Sequence, residues 1–409
     1  KVNAGINWNT KILPKISGMT RALQPKYPKV VCVLITNLLA HKNKDVALIY
    51  SREKEDIPNN YNKHKFTYRS MLQSVDWLEE EGYVINTRAK RDMSKGRKEV
   101  STIKATDKLH NLFNSCNKDC TKTVKEDNQL VILRDERKKL SGYKENQLTE
   151  SSRVKLQYYN SFIRNFFIED KNGEEINNVE LVRIFNEELG YTGRLYRSDV
   201  EVMGKEDRKL LTINGEPIVE LDYANLHLRI LSDMYNCSHM LEGIEDAYEY
   251  PLSYDERVKE NRSAIKLVFN MMLNCKSKAG AYAAVNNKQF PKYDRVFGVV
   301  GVWKGKEIVD KVLAAFHWLH LEMILWKGKP LAYKLQRIDS DMALEILCLG
   351  VDENIPVLPI HDSFITTEDN RLWLQDMMQY VYRSQMNKPD ARVPISVSER
   401  NIPERIEQI

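Results

Sequence analysis

The chain has 409 residues, 42% of them hydrophobic, and a formal net charge of +5 at pH 7. That length accommodates two or three domains with real cores, and that composition excludes a disordered chain. No apolar run approaches the length of a membrane helix and no signal-peptide pattern is present, so no membrane partner is expected. With so small a net charge, any nucleic-acid footprint must come from local clustering.

The chain starts at Lys1 without a methionine, so native residues are expected to precede it. Its six cysteines (32, 116, 120, 237, 275 and 348) are scattered, as free thiols in a reducing cytoplasm would be. Cys116 and Cys120 have the spacing to share a metal, but no second Cys/His pair lies nearby and a zinc site is not expected.

Val30 to His41 is apolar at helical period. In "YRSMLQSVDWLEEE" (Tyr68 to Glu81), Met71, Leu72, Val75 and Leu78 share one helical face, and Gly82 stops the helix. Two strand-like runs follow, "YVINT" (Tyr83 to Thr87) and "VSTIKAT" (Val100 to Thr106). Between them lies a tip carrying Arg88, Lys90, Arg91, Lys95, Arg97 and Lys98 against one acid. Helix, helix and a hairpin with a basic tip resembles the winged-helix superfamily. Such a tip can lie against phosphates while a helix enters a groove. The same segment can equally be a solvated hairpin in a protein-docking winged helix.

From His110 to Ser152 the chain is polar, interrupted only by the strand-like "QLVIL" (Gln129 to Leu133), and reads as a linker or docking segment. The expected division is 1–112, a DNA- or partner-binding domain; 113–150, the linker; and 151–409, the catalytic core. "VKLQYYNSFIRNFF" (Val154 to Phe167) can form one amphipathic helix with a basic, aromatic-rich face, or simply pack in a core. There is no internal repeat or low-complexity tract.

The second half carries the chemistry. "EPIVEL" (Glu216 to Leu221) reads as a buried strand, and Leu226, Ile230 and Met234 recur at helical spacing, so Asp222 sits where the period changes. A second aspartate, Asp362, falls between two short β-type runs in "IPVLPIHDSFITT" (Ile355 to Thr367), which fits a tight hairpin. In "ENRSAIKLVFNMMLNC" (Glu260 to Cys275), Arg262 and Lys266 are four apart and share a helix face. Nucleotidyl transfer needs such groups. Two carboxylates at rigid strand ends can hold divalent metals roughly 3.5–4 Å apart. Cations on a neighbouring helix can neutralise a triphosphate. Each element alone has a plainer reading: a helix cap, a solvated face, a turn.

Order and flanking residues point further. "DYANLHLRIL" (Asp222 to Leu231) is similar to D-Y-S-Q-I-E-L-R, the first palm motif of A-family, bacterial DNA polymerase I-like, single-subunit polymerases. "RSAIK" (Arg262 to Lys266) resembles their R-x-x-x-K fingers motif. "IHDSF" (Ile360 to Phe364) resembles the last palm motif, H-D-E there and H-D-S in single-subunit phage-type RNA polymerases. "TGRL" (Thr192 to Leu195) matches the family's T-G-R-L, and "LQRIDSDMALEIL" (Leu335 to Leu347) resembles its I-Q-G-T-A-A-D helix. The resemblance covers Tyr191 to Thr367.

It implies a right-hand polymerase core with an antiparallel palm sheet and helical fingers. The winged-helix-like segment lies outside it, and only some 40 residues between the linker and "TGRL" leave room for a reduced thumb. The expected fold class is therefore α+β, an N-terminal winged helix followed by that core. The resemblance also implies that Asp222 and Asp362 are ligands of two Mg2+ ions, for which Mn2+ can substitute, and that Arg262 and Lys266 grip the triphosphate. By the same resemblance, Arg194 holds the template-primer, Gln336 lies near the duplex minor groove and His361 near the primer end. The chain departs from the family where sugars are discriminated. His227 replaces the glutamate that excludes a ribose 2′-OH, and Asn270 and Asn274 stand where aromatic residues are usual. The sugar preference is therefore not carried over; the altered pocket can admit ribonucleotides, or His227 can reject them.

The expected function is a primase-polymerase of a mobile or phage-like element, making short strands on single-stranded DNA beside a helicase or small accessory protein. Its substrates would be nucleoside triphosphates and a single-stranded or primer-template DNA. The alternatives are a short gap-filling DNA polymerase without proofreading, a phage-type RNA polymerase relative, or a winged-helix initiator with an inactive polymerase half.

Overall fold

The computed structural model describes residues 3–5, 16, 20, 22–39, 47–52, 61, 66–89, 101–115, 130–176, 178–248, 258–286 and 304–398. Lys90, Arg91, Lys95, Arg97 and Lys98 lie outside these residues, as do Cys116 and Cys120. The chain divides into two compact units, Lys1–Leu130 with Lys139–Lys144, and Val131–Lys138 with Glu145–Ile409. Both mix helices with small sheets. No helix among the described residues is long and apolar enough to cross a membrane.

The first unit contains β1 (Asn3–Gly5), α1 (Pro28–Leu39), β2 (Ala47–Tyr50), α2 (Tyr68–Glu80), β3 (Val84–Thr87), β4 (Ser101–Ala105) and α3 (Asp107–Ser115). Its sheet runs β1-β2-β4-β3, parallel only between β1 and β2. Val30 to Leu38 of α1 are all buried and pack with Met71, Val75 and Leu78 of α2. Each fully buried aliphatic side chain contributes about 1.5–3 kcal/mol. Thr67 sets the start of α2 by a capping box, in which the Thr67 hydroxyl accepts from the Ser70 amide and the Ser70 hydroxyl accepts from the Thr67 amide. Gly82, at φ 71°, follows the helix end. Helix, helix and an antiparallel β3–β4 hairpin therefore occur in the order that the hydrophobic pattern implies.

The second unit contains β5 (Val131–Arg134), α4 (Gln147–Ile163), β6 (Ile168–Glu169), β7 (Val182–Asn186), β8 (Thr192–Tyr196), β9 (Thr212–Ile213), β10 (Glu216–Tyr223) and α5 (Leu226–Met234). It continues with α6 (Val258–Leu273), α7 (Lys278–Val285), α8 (Gly305–Ala315), α9 (Leu331–Asp352), β11 (Leu358–Ile360), β12 (Ser363–Thr367), α10 (Arg371–Met386) and β13 (Ile395–Ser398). One sheet runs β5-β7-β8; the other runs β11-β12-β10-β9-β6, with β13 also paired to β10. The long helix α9 lies against β8, α4 and α10.

The polar stretch before residue 150 is more structured than its composition suggests. Val131–Arg134 pairs in parallel with Val182–Asn186. Helix α4 begins at Gln147, well before Val154, because Asn146 and Thr149 form a capping box at 3.0 and 2.9 Å. The first turn, Gln147, Leu148, Thr149 and Glu150, holds a single apolar residue and so shows no apolar period, and its helical state rests on the cap. The aromatic residues of α4 divide. Tyr159 is buried and donates to the Val357 carbonyl at 2.9 Å, whereas the exposed Tyr158 donates to Asp352 at 2.8 Å.

Candidate active site

Strand β10 aims the first acid by simple alternation. Leu221 and Tyr223 are buried, and the Tyr223 hydroxyl donates to the Met378 carbonyl at 2.6 Å. Asp222 therefore faces the other side of the sheet. The second acid comes from the β11–β12 hairpin, where Ile360 pairs with Ser363 and His361-Asp362 forms the turn, His361 at φ 58°. Because Asp222 is the register partner of Ser363, Asp362 lies beside it. The two acids line one cavity of about 780 Å³.

Helix α6 supplies two cations of that cavity. Ala264, Ile265, Val268, Phe269 and Met272 are buried, and Phe269 packs on Tyr248 and Phe316 at centroid distances of 5.7 and 5.1 Å. The opposite face, Arg262, Lys266, Asn270 and Asn274, lines the cavity at intervals of four. The Asn274 side chain is occupied, donating to the Asn270 carbonyl at 2.8 Å.

Electrostatics tie the groups together. Burial, then the charge of Asp362, pushes the Asp222 carboxyl up to about 7, and Lys266 pulls it only partly back. Glu220, buried two residues earlier, also raises it, although Glu220 is itself held by Arg208 at 3.1 and 3.3 Å and by the Ser363 hydroxyl at 3.0 Å. Such a pair suits a divalent cation, which would offset both the burial and the repulsion that hold Asp222 up. No group of three or more His, Cys, Asp or Glu side chains placed to hold a metal occurs among the described residues. The donor set of two carboxylates is what Mg2+ uses when substrate phosphates and water complete its shell.

Arg194 is placed by a glycine. Gly193 has φ 85°, and a Cβ there would approach Phe185 Cε1 to 2.6 Å. The Gly193 carbonyl accepts from Arg183 Nε at 2.8 Å. Arg183 is 2% exposed; it also donates to the Ser152 and Ser340 hydroxyls at 3.0 Å and pairs with Asp341, linking α4, β7 and α9. Arg194 then reaches the cavity wall, where its Nη2 donates to Asp339 Oδ2 at 2.7 Å. Burial would lower the Arg194 guanidinium, but the charge and hydrogen bond of Asp339 outweigh it and hold it raised.

The cavity thus brings together Asp222, Asp362, Arg262, Lys266, Asn270, Asn274, His227, Arg194 and Gln336. His361 stands outside its lining. That ring packs edge-on to Tyr196 at 5.8 Å with Nδ1 buried and unpartnered, and burial, then the charge of Arg194, holds it below the usual histidine range. In the first unit, Arg88 is paired with Glu79 at 2.7 Å and lies 3.5 Å from Asp76, so part of its charge is already met.

Three groups escape the sequence pattern. Asp246 accepts from Arg262 Nε and, at 3.0 Å, from the Tyr248 amide. Arg229 is 6% exposed and donates to the carbonyls of Leu241 and Ile244, which pins the loop leading to Asp246. Asp339 binds both Arg194 and His227. Arg229 had a signal, a charge beside the apolar stripe of α5. Asp339 had a weaker one, its place three residues after Gln336 on the same helix face. Asp246 lies in a loop without period.

No family model matches the chain, and no curated protein matches it. Among solved structures it is similar to the POL domain of Pol1 from M. smegmatis in complex with DNA primer-template and dNTP, at TM-score 0.37 and 12% identity. The match covers 94% of this chain, which spans 66% of the length of that one.

Proposed function

We propose that the chain is a template-directed nucleotidyltransferase of the primase-polymerase type, extending short strands on single-stranded DNA from nucleoside triphosphates. The observation that carries this reading is the cavity itself. Two mutually repelling carboxylates line it, Asp222 on a strand and Asp362 in the turn of the neighbouring hairpin, with Lys266 and Arg262 on one helix face beside them.

In this reading Asp222 and Asp362 would hold two Mg2+ ions, which supply charge for the attacking 3′-oxygen and the leaving pyrophosphate. Lys266 has no ion-pair partner among the described residues, and its charge is available to a phosphate. Arg262 is gripped by Asp246 through Nε, which leaves its two terminal nitrogens to fork onto phosphate oxygens. Asn270 adds an amide beside them. Arg194 and Gln336 face the same space from β8 and α9, where a template-primer backbone would lie. His227, in the first turn of α5, would meet the sugar. A flat imidazole, able to donate to or accept from a hydroxyl, in place of a carboxylate is compatible with a ribonucleotide.

The helix-helix-hairpin unit with its basic tip would supply sequence-tolerant DNA affinity, as a winged helix does. The test is incorporation of labelled nucleotides on single-stranded DNA in Mg2+, with and without a primer. Activity lost in Asp222→Asn supports the reading. Absence of incorporation in the native protein contradicts it.

A further inference from the structure

Asp339 does not line the cavity, yet it holds two residues that do. It is 3% exposed, midway along α9, and a single oxygen, Oδ2, lies 2.7 Å from Arg194 Nη2 and 2.9 Å from His227 Nε2. A carboxylate offers only lone pairs, so the facing nitrogen of His227 must carry the hydrogen. Nδ1 of the same ring has no hydrogen-bond partner among the described residues, and His227 lines the cavity. Arg194 supplies the counter-charge that a buried carboxylate requires. The arrangement is braced from behind. Ser340, the next residue, accepts from the buried Arg183, which also binds the carbonyl of Gly193, the residue before Arg194. Asp339 therefore cannot move relative to β8 without breaking bonds of a buried guanidinium.

We propose that Asp339 is a positioning residue: it fixes the imidazole of His227 with Nε2 protonated and so presents Nδ1 as an acceptor to a sugar hydroxyl of the bound nucleotide, which makes ribonucleoside triphosphates the favoured substrate class. This rests on the nucleotidyl-transfer reading above. A deoxynucleotide would leave that lone pair desolvated with no donor, and a site built to bond a hydroxyl discriminates against the analogue that lacks it. A carboxylate that fixes the tautomer of a working histidine is a recurrent arrangement.

The test uses the full chain and its Asp339→Asn, His227→Ala and doubly substituted forms. Two quantities are measured: the ribo-to-deoxy ratio of single-turnover incorporation with one base on a primed template, and the tautomer of His227 by nitrogen-15 NMR. The native protein should show the Nε2–H form. Asp339→Asn should lower the sugar ratio by about tenfold and mix the tautomers. The same change in the His227→Ala background should leave the ratio where it is. A native Nδ1–H form, an unaltered ratio in Asp339→Asn, or an equal drop without His227 overturns the proposal. If Asp339→Asn does not fold, the native tautomer and the His227→Ala ratio decide. If the native protein incorporates no nucleotide, the nucleotidyl-transfer reading fails by itself, and the tautomer in native and Asp339→Asn protein still decides whether Asp339 sets the ring.

Discussion

The backbone amide of Tyr223 donates to the carbonyl of Asp362 at 3.4 Å. This bond ties the residue after one acid to the other acid, so the separation of the two carboxylates is set by the β10–β12 ladder rather than by a loop. Replacing either with asparagine keeps its size and removes the charge. Asp222→Asn and Asp362→Asn should each retain the fold by circular dichroism and lower incorporation by at least about a hundredfold, the scale of losing one pre-organised electrostatic group. Near-native rates in both would remove the carboxylate pair from the mechanism.

Lys266 and Arg262 differ in how they are held. Lys266→Ala should cost far more in single-turnover rate than in DNA affinity, because its charge is needed on the triphosphate. If DNA affinity collapses and chemistry survives, Lys266 serves the template strand instead. Asp246→Asn should loosen Arg262 and raise the nucleotide KM several-fold with a smaller change in kcat, as expected when a binding group loses its orientation.

Neutralising Arg88, Lys90, Arg91, Lys95, Arg97 and Lys98 should flatten the salt dependence of DNA binding, since each phosphate contact releases counterions. Arg88 alone should matter least, because Glu79 and Asp76 already compensate it. A salt slope that does not move would favour protein docking by this hairpin.

Gly193→Ala should destabilise the second unit by about 1–3 kcal/mol in urea melts, the usual cost of forcing a side chain into a left-handed conformation. The close approach to Phe185 Cε1, 2.6 Å for an added Cβ, requires an additional shift. Unchanged stability would mean that β8 relaxes without loss.

The parts legible in the sequence are those with a local period. Asp222 and Asp362 mark changes of pattern at strand ends, and the cation face of α6 follows from residues four apart. The first turn of α4 was hidden because a cap of Asn146 and Thr149, not an apolar stripe, makes it helical. Asp339 was hidden because its meaning lies in partners 145 and 112 residues away, across a fold that no window of sequence displays. His361 was legible only as part of its motif. That motif implies a place by the primer end, and the contact of its ring with Tyr196, outside the cavity lining, has no local signal in the sequence.

The most direct measurement is incorporation of labelled ribo- and deoxynucleotides by the full chain on single-stranded DNA, in Mg2+ and in chelator, with and without a primer. Template-dependent, Mg2+-dependent products are expected, detectable without a primer when ribonucleotides are present and absent in Asp222→Asn. Failure to incorporate any nucleotide, on primed or unprimed template, in Mg2+ or Mn2+, would contradict the proposed function.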